Sequence, residues 1–276
     1  MKLGLTLIDA DGLAFHALRE TLHESLEVLD SKINNIFAKT QATHYSMFLS
    51  GGKYFRHDLF DGYKKLRERQ KQRITWKNTL KAVLSEKYGA VKMYNVEADD
   101  LVSFMYYNFK EVDTKIIASP DKDLLFNIPG THFNYSYKLE VKEDPSSVIE
   151  GWWIDTTKED AEINFWASMI IGDSTDGIIG LHGKGSKYVE KLFEANTQKG
   201  KSFRDIVFSE YIDYHGESKG IYEFQKTYRA LNLLSSVEDF KREIGIDEEE
   251  LMTFCRESVV SINKEQVIST LDVNEF

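Results

Sequence analysis

The sequence has little of several features whose scarcity excludes whole classes of protein. It contains one cysteine, Cys255, in 276 residues, so we interpret this residue as an inert thiol in a reducing compartment. No second thiol or nearby histidine pair completes a zinc pattern. No stretch approaches the roughly 18 uninterrupted apolar residues of a membrane span, and the apolar run at residues 3–8 is too short for a signal-peptide core. We therefore expect a cytoplasmic protein, mature as written, with no membrane partner.

The sequence also lacks flexible linkers and the residue combinations that serve nucleophilic catalysis. The chain has three prolines and no Pro/Gly-rich linker, internal repeat or low-complexity tract, so we expect its C-terminal helices to pack on the preceding domain. No Ser/His/Asp or Cys/His set for nucleophilic catalysis is apparent. A chain of 31.9 kDa suits one large α/β domain with a smaller appendage, or two modest domains.

Positive charge is scarce overall but concentrated in one segment. The net charge is −10, yet residues 53–81 hold ten Lys or Arg against three acids, a local charge of +7. Tyrosine, phenylalanine and tryptophan lie among these cations, a combination that can hold phosphates and stack an unpaired base. The alternative is a solvated helix face with ion pairs. The segment favours a nucleic-acid partner despite the acidic total.

The hydrophobic pattern predicts an α/β fold. Residues 3–8, 44–49 and 115–118 are typical of buried strands, and residues 24–39 between the first two have apolar side chains at helical spacing. Strands separated by helices indicate crossovers and a mainly parallel sheet flanked by helices. Residues 131–154 predict a hairpin, and from Lys158 the character is helical to the end.

Acidic residues gather where these strands end or helices begin. They form four short clusters: Asp9 with Asp11; Glu97, Asp99 and Asp100; Asp121 with Asp123; Asp173 with Asp176. Helix capping explains one acid in a cluster better than two or three. Because the carboxyl ends of parallel strands form one edge, several clusters can share a site. Carboxylates brought together repel unless a cation neutralises them, and oxygen ligands select Mg²⁺ or Mn²⁺. The pattern predicts a divalent metal site for phosphodiester chemistry.

A glycine-rich turn overlaps the last acidic cluster. It contains Gly180, Gly183 and Gly185 between two helical patterns. Such a turn lets the backbone approach a phosphate or a monovalent cation, and the next helix presents its N-terminus to an anion. A purely structural turn is the alternative.

These motifs, in this order, carry a family resemblance. They are Leu7–Asp11, Phe55–His57 with Gly62–Arg67, Val96–Asp100, Ser119–Asp123, Gly172–Asp176 and the glycine turn. The chain resembles the 5′-nuclease superfamily of flap endonucleases and 5′→3′ exonucleases, particularly its bacteriophage members, from about Leu5 to about Phe193. The resemblance implies a PIN-like α/β core at residues 1–155 with a helical arch at about 53–82. It also implies a helix-three-turn-helix region for duplex DNA, followed by C-terminal helices, at residues 156–276.

The resemblance also implies roles for individual residues. The metal ligands or their supports would be Asp9, Glu97, Asp99, Asp100, Asp121, Asp123, Asp173 and Asp176, holding two Mg²⁺ or Mn²⁺ ions. Lys64 and Arg67 would act on the scissile phosphate, beside the catalytic carboxylates Asp9 and Asp100. The nucleic-acid contacts would be Arg56, Lys64, Lys65, Arg67, Arg69, Gly180, Gly183, Lys184, Gly185 and Lys187. The glycine turn would bind K⁺.

One position departs from the family pattern. The family usually has a further Asp at the end of the second strand, where this chain has Leu49, Ser50, Gly51 and Gly52. Its loss could weaken a metal, shift its role to Asp11, or leave a protein that binds DNA and cuts slowly.

The expected function is a 5′→3′ exonuclease with flap endonuclease or RNase H-like activity in phage DNA replication, removing 5′ ends or RNA primers. Its substrates would be branched, nicked or 5′-ended duplex DNA or RNA–DNA hybrids, with replication proteins as candidate partners in the host cytoplasm. Two alternatives remain: a structure-specific DNA-binding protein that has lost catalysis, and a small PIN-domain ribonuclease. The ribonuclease explains the acids but not the glycine turn or the basic segment.

Overall fold

The architecture comes from a computed structural model that describes residues 3–65, 76–139 and 148–262. The strands are β1 Gly4–Asp9, β2 His44–Phe48, β3 Thr114–Ala118, β4 Gly130–Leu139, β5 Val148–Thr156, β6 Gly172–Asp173, β7 Ile178–Ile179 and β8 Val260–Ser261. The helices before β5 are α1 Ala10–His16, α2 Leu22–Thr40, α3 Arg56–Leu59, α4 Lys77–Tyr88, α5 Ala98–Asn108 and α6 Lys122–Asn127. Those after it are α7 Lys158–Ile171, α8 Ser186–Thr197, α9 Phe203–His215, α10 Glu217–Leu231, α11 Val237–Ile244 and α12 Glu248–Glu257.

These elements form two compact units. The first, called here the sheet unit, comprises the described residues within Met1–Lys53, Ile74–Thr156 and Leu234–Phe276. The second, the helical unit, comprises those within Tyr54–Arg73 and Thr157–Leu233. The chain thus leaves the sheet unit twice and returns to it after residue 233. Nothing in the described chain is a helix long and apolar enough to cross a membrane.

The sheet unit contains a six-stranded sheet in the order β5-β4-β3-β1-β2-β8. Four inner strands, β4, β3, β1 and β2, run parallel, whereas the two edge strands β5 and β8 are antiparallel to their neighbours. The predicted PIN-like, mainly parallel α/β fold is confirmed. β8 is too short to give a sequence pattern, and the prediction of helix to the C-terminus missed it together with β6 and β7.

Apolar residues of β1 and α2 explain why this unit folds as predicted. Leu7 and Ile8 of β1 are fully buried, as are Leu29 and Ile33 of α2, so the helical spacing does mark the face turned to the core. α2 begins at a capping box in which the Thr21 side chain accepts from the Glu24 amide and the Glu24 carboxylate accepts from the Thr21 amide. The buried face and the cap together specify this helix.

The C-terminal part of the sheet unit packs on α5 and β2. The rings of Phe104 on α5 and Phe240 on α11 meet edge to face at 5.1 Å between centroids. The Ser258 hydroxyl lies 3.1 Å from that of Ser46 on β2, just before β8 pairs with β2. In this unit the C-terminal helices therefore pack on the sheet domain.

The helical unit has its own core. Trp166 and Ile170 of α7, Tyr211 of α9 and Phe224 of α10 are buried together. The Tyr211 hydroxyl donates to the Met169 carbonyl at 2.6 Å, so this buried phenol is satisfied. The short strands β6 and β7 pair as an antiparallel hairpin beyond α7.

Candidate functional site

Asp9 lies at the carboxyl end of β1 and caps α1. One carboxylate oxygen, Oδ1, accepts from the backbone amide of Asp11 at 3.1 Å, and Oδ2 accepts from the Ser119 hydroxyl at 3.2 Å. The Tyr135 hydroxyl donates to the Asp9 carbonyl at 2.5 Å. The Asp9 residue is 8% exposed, so the strand end holds a carboxylate in a largely buried position.

Ser119 connects Asp9 to the acids that follow β3. Its hydroxyl also accepts from the Asp121 amide at 3.0 Å, and the Asp121 carboxylate accepts from the Asp123 amide at 2.8 Å to cap α6. β1 and β3 are adjacent parallel strands, so their carboxyl ends meet at one sheet edge. The structure brings Asp9 and Asp121 close enough for their charges to interact.

Glu97, Asp99 and Asp100 form a second carboxylate group at the start of α5. Each offers an oxygen within 4.8 Å of the others. Glu97 is 2% exposed and Asp100 is fully buried. Asp100 Oδ1 accepts from the Leu234 amide at 3.0 Å. Within the described residues the Glu97 side chain makes no capping hydrogen bond although Glu97 is the N-cap residue. Capping thus accounts for Asp9 and Asp121 but not for Glu97.

The carboxylates that follow β1 and β3, together with those at the start of α5, have the chemistry to bind a divalent cation. Their candidate ligand atoms are carboxylate oxygens, the donors that Mg²⁺ and Mn²⁺ prefer. Buried ionised carboxylates are costly unless a counter-charge compensates them. Burial, followed by the charges of Asp11 and Asp121, raises the pKa of Asp9 from its ordinary 3.8 to about 7. The residues of this unit that the resemblance predicts as metal ligands or their supports are Asp9, Glu97, Asp99, Asp100, Asp121 and Asp123, and this assignment stays a prediction.

The raised pKa of Asp9 predicts that metal affinity depends on pH. Below pH 7 a divalent cation must displace a proton from Asp9, so Mn²⁺ affinity should rise about tenfold per pH unit and level off above about pH 7. The ion-free fold should show the opposite trend. Because the folded chain holds this proton more tightly than the unfolded chain, this contribution to stability is lost as the pH rises from about 4 to about 7.

Calorimetric titration of Mn²⁺ at several pH values, with thermal unfolding of ion-free protein alongside, measures both trends. Asp9→Asn serves as the control, because it removes the titrating group and should flatten the profile. A wild-type affinity that is constant across this range would contradict the assignment of Asp9.

Ser50 lies in the segment, residues 49–52, where the resemblance leads us to expect a further Asp. Its hydroxyl accepts from the Ala98 amide at 3.1 Å, directly after Glu97. A Cβ at Gly51 would lie 2.0 Å from the Met93 carbonyl oxygen, so position 51 excludes any side chain. The local backbone therefore rules out a carboxylate at 51 and joins position 50 to the start of α5.

The helical unit brings Lys64 together with the last acidic cluster. The Lys64 amide donates to the Asp176 carbonyl at 2.9 Å, and the Lys64 ammonium lies 3.9 Å from Asp176 Oδ2. The same ammonium lies over the rings of Tyr54 and Tyr63, 5.5 and 5.2 Å from their centroids. Asp173 Oδ1 accepts from the Thr175 amide at 2.8 Å. Lys64 is thus a positioned cation, while the roles of Asp173 and Asp176 at a second ion stay predictions.

Close backbone approaches explain two glycines here. Gly177 has φ +76°, and a Cβ on it would lie 2.6 Å from the Gly62 carbonyl oxygen. Gly180 approaches the Ile170 carbonyl so closely that a Cβ would lie 2.2 Å from it. These glycines let the Lys64 segment and the β6-β7 hairpin lie against their neighbours.

The remaining predicted nucleic-acid contacts fall into different environments. Arg56 is 2% exposed, and its guanidinium donates to the carbonyls of Ala230 and Asn232 at 2.8 and 2.9 Å. Lys184 forms an ion pair with Glu210 and lies over the ring of Tyr188. These contacts engage both cations within the helical unit, and their contact with nucleic acid stays a prediction.

Other members of that predicted set lie on the surface or outside the described residues. Lys65 and Lys187 are exposed. A Cβ at Gly183 or Gly185 would meet open space, and Gly185 starts α8 without a side-chain cap among the described residues, which leaves backbone amides at the turn. Arg67 and Arg69 lie outside the described residues, so nothing is added to their prediction.

Supporting residues of the site had little sequence signal. Ser119 could have been found because it precedes the Pro120-Asp121 motif by one residue. Tyr135 reaches Asp9 from β4, 126 positions along the chain, and no spacing rule connects the two. The periodicity of α4 does not show which of its lysines faces the acids.

Comparison with known proteins shows the family of the chain. The family model of the 5′-3′ exonuclease N-terminal resolvase-like domain matches residues 4–152, more than half of the chain. The match defines the class of protein as a hydrolytic nuclease. The chain belongs to the 5′-3′ exonuclease family.

Solved structures from bacteriophage T5 share the fold. The T5 D15 protein co-crystallised with metal ions matches with a TM-score of 0.65 and 16% identity, covering 92% of this chain and 98% of that one. The T5 D15 flap endonuclease in a pseudo-enzyme-product complex with DNA and metal ions matches with a TM-score of 0.62 and 18% identity, covering 96% and 99%. Curated protein sequences give no match.

Proposed function

We propose that the protein is a metal-dependent, structure-specific 5′→3′ exonuclease and flap endonuclease. It hydrolyses phosphodiester bonds at the 5′ ends of branched, nicked or duplex DNA or of RNA–DNA hybrids. The observation that carries the proposal is the carboxylate set of the sheet unit in a chain of the 5′-3′ exonuclease family. Asp9, Glu97 and Asp100 of this set are buried, and Asp121 is partly exposed. Removal of 5′ ends or RNA primers during phage DNA replication is the corresponding biological role.

The proposed mechanism assigns a task to each group. Asp9, Glu97, Asp100 and Asp121 would hold Mg²⁺ or Mn²⁺, of which the resemblance implies two ions, and the bound metal would supply water activation and charge neutralisation. Lys64 binds and orients the phosphate, since its ammonium is held by Asp176 and two aromatic rings. Hydrogen bonds from Ser119 and Leu234 keep Asp9 and Asp100 oriented. The glycine turn at Gly180 to Gly185 offers backbone atoms to duplex phosphates, with K⁺ as its proposed ion.

A cleavage assay on a set of labelled substrates tests this function. Purified protein is incubated with 5′-flap, nicked, blunt-duplex and single-stranded substrates, as DNA and as RNA–DNA hybrids, with Mg²⁺, with Mn²⁺ and with chelator. We expect cleavage near the 5′ end of the structured substrates in the presence of metal and none with chelator. Absence of metal-dependent cleavage on every substrate would defeat the enzyme proposal.

A catalytically weakened DNA-binding protein of the same fold is the second candidate. The Ser50-Gly51 sequence favours it, because position 51 excludes a side chain and the usual additional Asp is absent. In that case the protein would bind branched substrates more tightly than unbranched ones, and it would cleave none of them in the presence of Mn²⁺. Preference for unpaired RNA over branched DNA would instead indicate a PIN-domain ribonuclease.

A further inference from the structure

The Asp11 carboxylate is held by two residues that are distant in the sequence, Ser50 and Lys81. Its Oδ1 forms an ion pair with the Lys81 ammonium of α4. Its Oδ2 accepts from the Ser50 amide at 3.1 Å, beyond the end of β2. The two side chains of the ion pair are about one-quarter exposed, so the pair is partly shielded from solvent and from salt.

Ser50 extends this connection to the start of α5. Its hydroxyl accepts from the Ala98 amide at 3.1 Å, and the Gly51 amide donates to the Val96 carbonyl at 3.1 Å. Asp11 is therefore linked through one residue to the helix that begins with Glu97, Asp99 and Asp100. The place of the usual family Asp is taken by a hydrogen-bonded junction instead of a free carboxylate.

The Lys81 ammonium also changes the charge of the site. Asp11 lies close enough to Asp9 for their charges to interact, so a cation fixed on Asp11 offsets one negative charge beside a proposed metal ligand. A second lysine of the same helix, Lys87, pairs with Asp30 at 2.6 Å. Asp30 is not among the site carboxylates. The two ion pairs, Lys81 with Asp11 and Lys87 with Asp30, therefore involve the same helix and the same chemical groups but lie at different places.

We infer that Lys81 is a positioning residue of this site: it holds Asp11 in an ion pair, keeps that carboxylate away from the divalent cation, and thereby lowers the affinity of the site for the ion. The inference rests on the proposed function, because it concerns the metal of that reaction. Asp11 is accordingly a structural link from α1 to α4 and, through Ser50, to the start of α5. It does not replace the further Asp that residues 49–52 lack.

Direct Mn²⁺ titration without DNA tests this inference by the sign of the change. Lys81→Met should bind Mn²⁺ about tenfold more tightly than wild type, because Asp11 then adds an uncompensated negative charge. Lys81→Arg keeps the charge and should bind like wild type, and the matched control Lys87→Met should do the same. A merely structural role of Lys81 would leave affinity unchanged or reduce it.

Asp11→Asn is a second variant for the same Mn²⁺ titration, and it keeps an oxygen that can accept from the Ser50 amide. It tests the inference even if Lys81→Met fails to fold. We expect unchanged Mn²⁺ stoichiometry and an affinity within about tenfold of wild type, against a loss of at least about a hundredfold in Asp9→Asn. A loss in Asp11→Asn equal to that in Asp9→Asn would overturn the inference, as would equal affinities of Lys81→Met and Lys87→Met. Wild-type protein that binds Mn²⁺ but cuts no substrate would defeat the proposed function separately.

Discussion

Asp100→Asn is expected to lower the rate of metal-dependent cleavage by at least about 10³-fold. Asp100 is fully buried in the carboxylate group of α5, and the substitution removes its negative charge while leaving an oxygen that can accept from the Leu234 amide. A bound metal contributes several kcal/mol of transition-state stabilisation, and each 1.36 kcal/mol corresponds to a factor of ten in rate. Single-turnover cleavage of a 5′-flap substrate measures the effect.

Asp30→Asn is the control for this substitution. Asp30 is a carboxylate of the same unit that pairs with Lys87 and belongs to neither acidic group of the site. The Asp30→Asn variant should cleave at the wild-type rate. In Mn²⁺ titration, Asp100→Asn should bind the ion more weakly than wild type, and Asp30→Asn should not. Full activity of Asp100→Asn in the folded state, checked by circular dichroism, would remove Asp100 from the proposed metal site.

Lys64→Met should reduce cleavage by about 10²- to 10³-fold without changing Mn²⁺ affinity in the sheet unit. The resemblance assigns Lys64 to the scissile phosphate, and the structure holds its ammonium 3.9 Å from Asp176 Oδ2 and over two tyrosine rings. A cation oriented before the substrate arrives stabilises developing phosphate charge at little reorganisation cost, and removing one such group typically costs this much.

Lys226→Met is a closely matched control for Lys64→Met. The Lys226 ammonium also lies 3.9 Å from a carboxylate, that of Glu223, and over an aromatic ring, that of Phe60, yet it has no proposed role in the reaction. Comparable losses in both variants would show that the effect comes from the stability of the helical unit. If Lys64→Met raised the Michaelis constant and left the maximal cleavage rate unchanged, Lys64 would be assigned to substrate binding alone.

The parallel core of the sheet unit could be predicted from the sequence, because each strand and helix shows its own periodic spacing of apolar residues. Leu7, Ile8, Leu29 and Ile33 are apolar at strand and helix spacing, and the structure buries them all. β8 could not be predicted, because two residues carry no periodicity and the strand exists through pairing with β2. The return of the chain to the sheet unit after residue 233 likewise depends on long-range packing, such as Phe240 against Phe104.

The candidate site was predictable in its acids but not in their surroundings. Asp9 and Asp121 follow strands that the sequence pattern identifies, and the rule for parallel sheets brings their ends together. The partners of Asp11 could not be predicted, because Lys81 reaches it from a helix and Ser50 through its backbone amide. Sequence alone also did not indicate that Arg56, one of ten cations in a basic segment, is buried.

The most direct test of the account is a crystal structure of the protein with Mn²⁺, with the ions located by anomalous scattering. The account predicts density for an ion bound by carboxylate oxygens from Asp9, Asp100 and Asp121 or Glu97, with the Asp11 carboxylate still paired to Lys81. Mn²⁺ found elsewhere, with these carboxylates bound to no ion at saturating concentration, would contradict it.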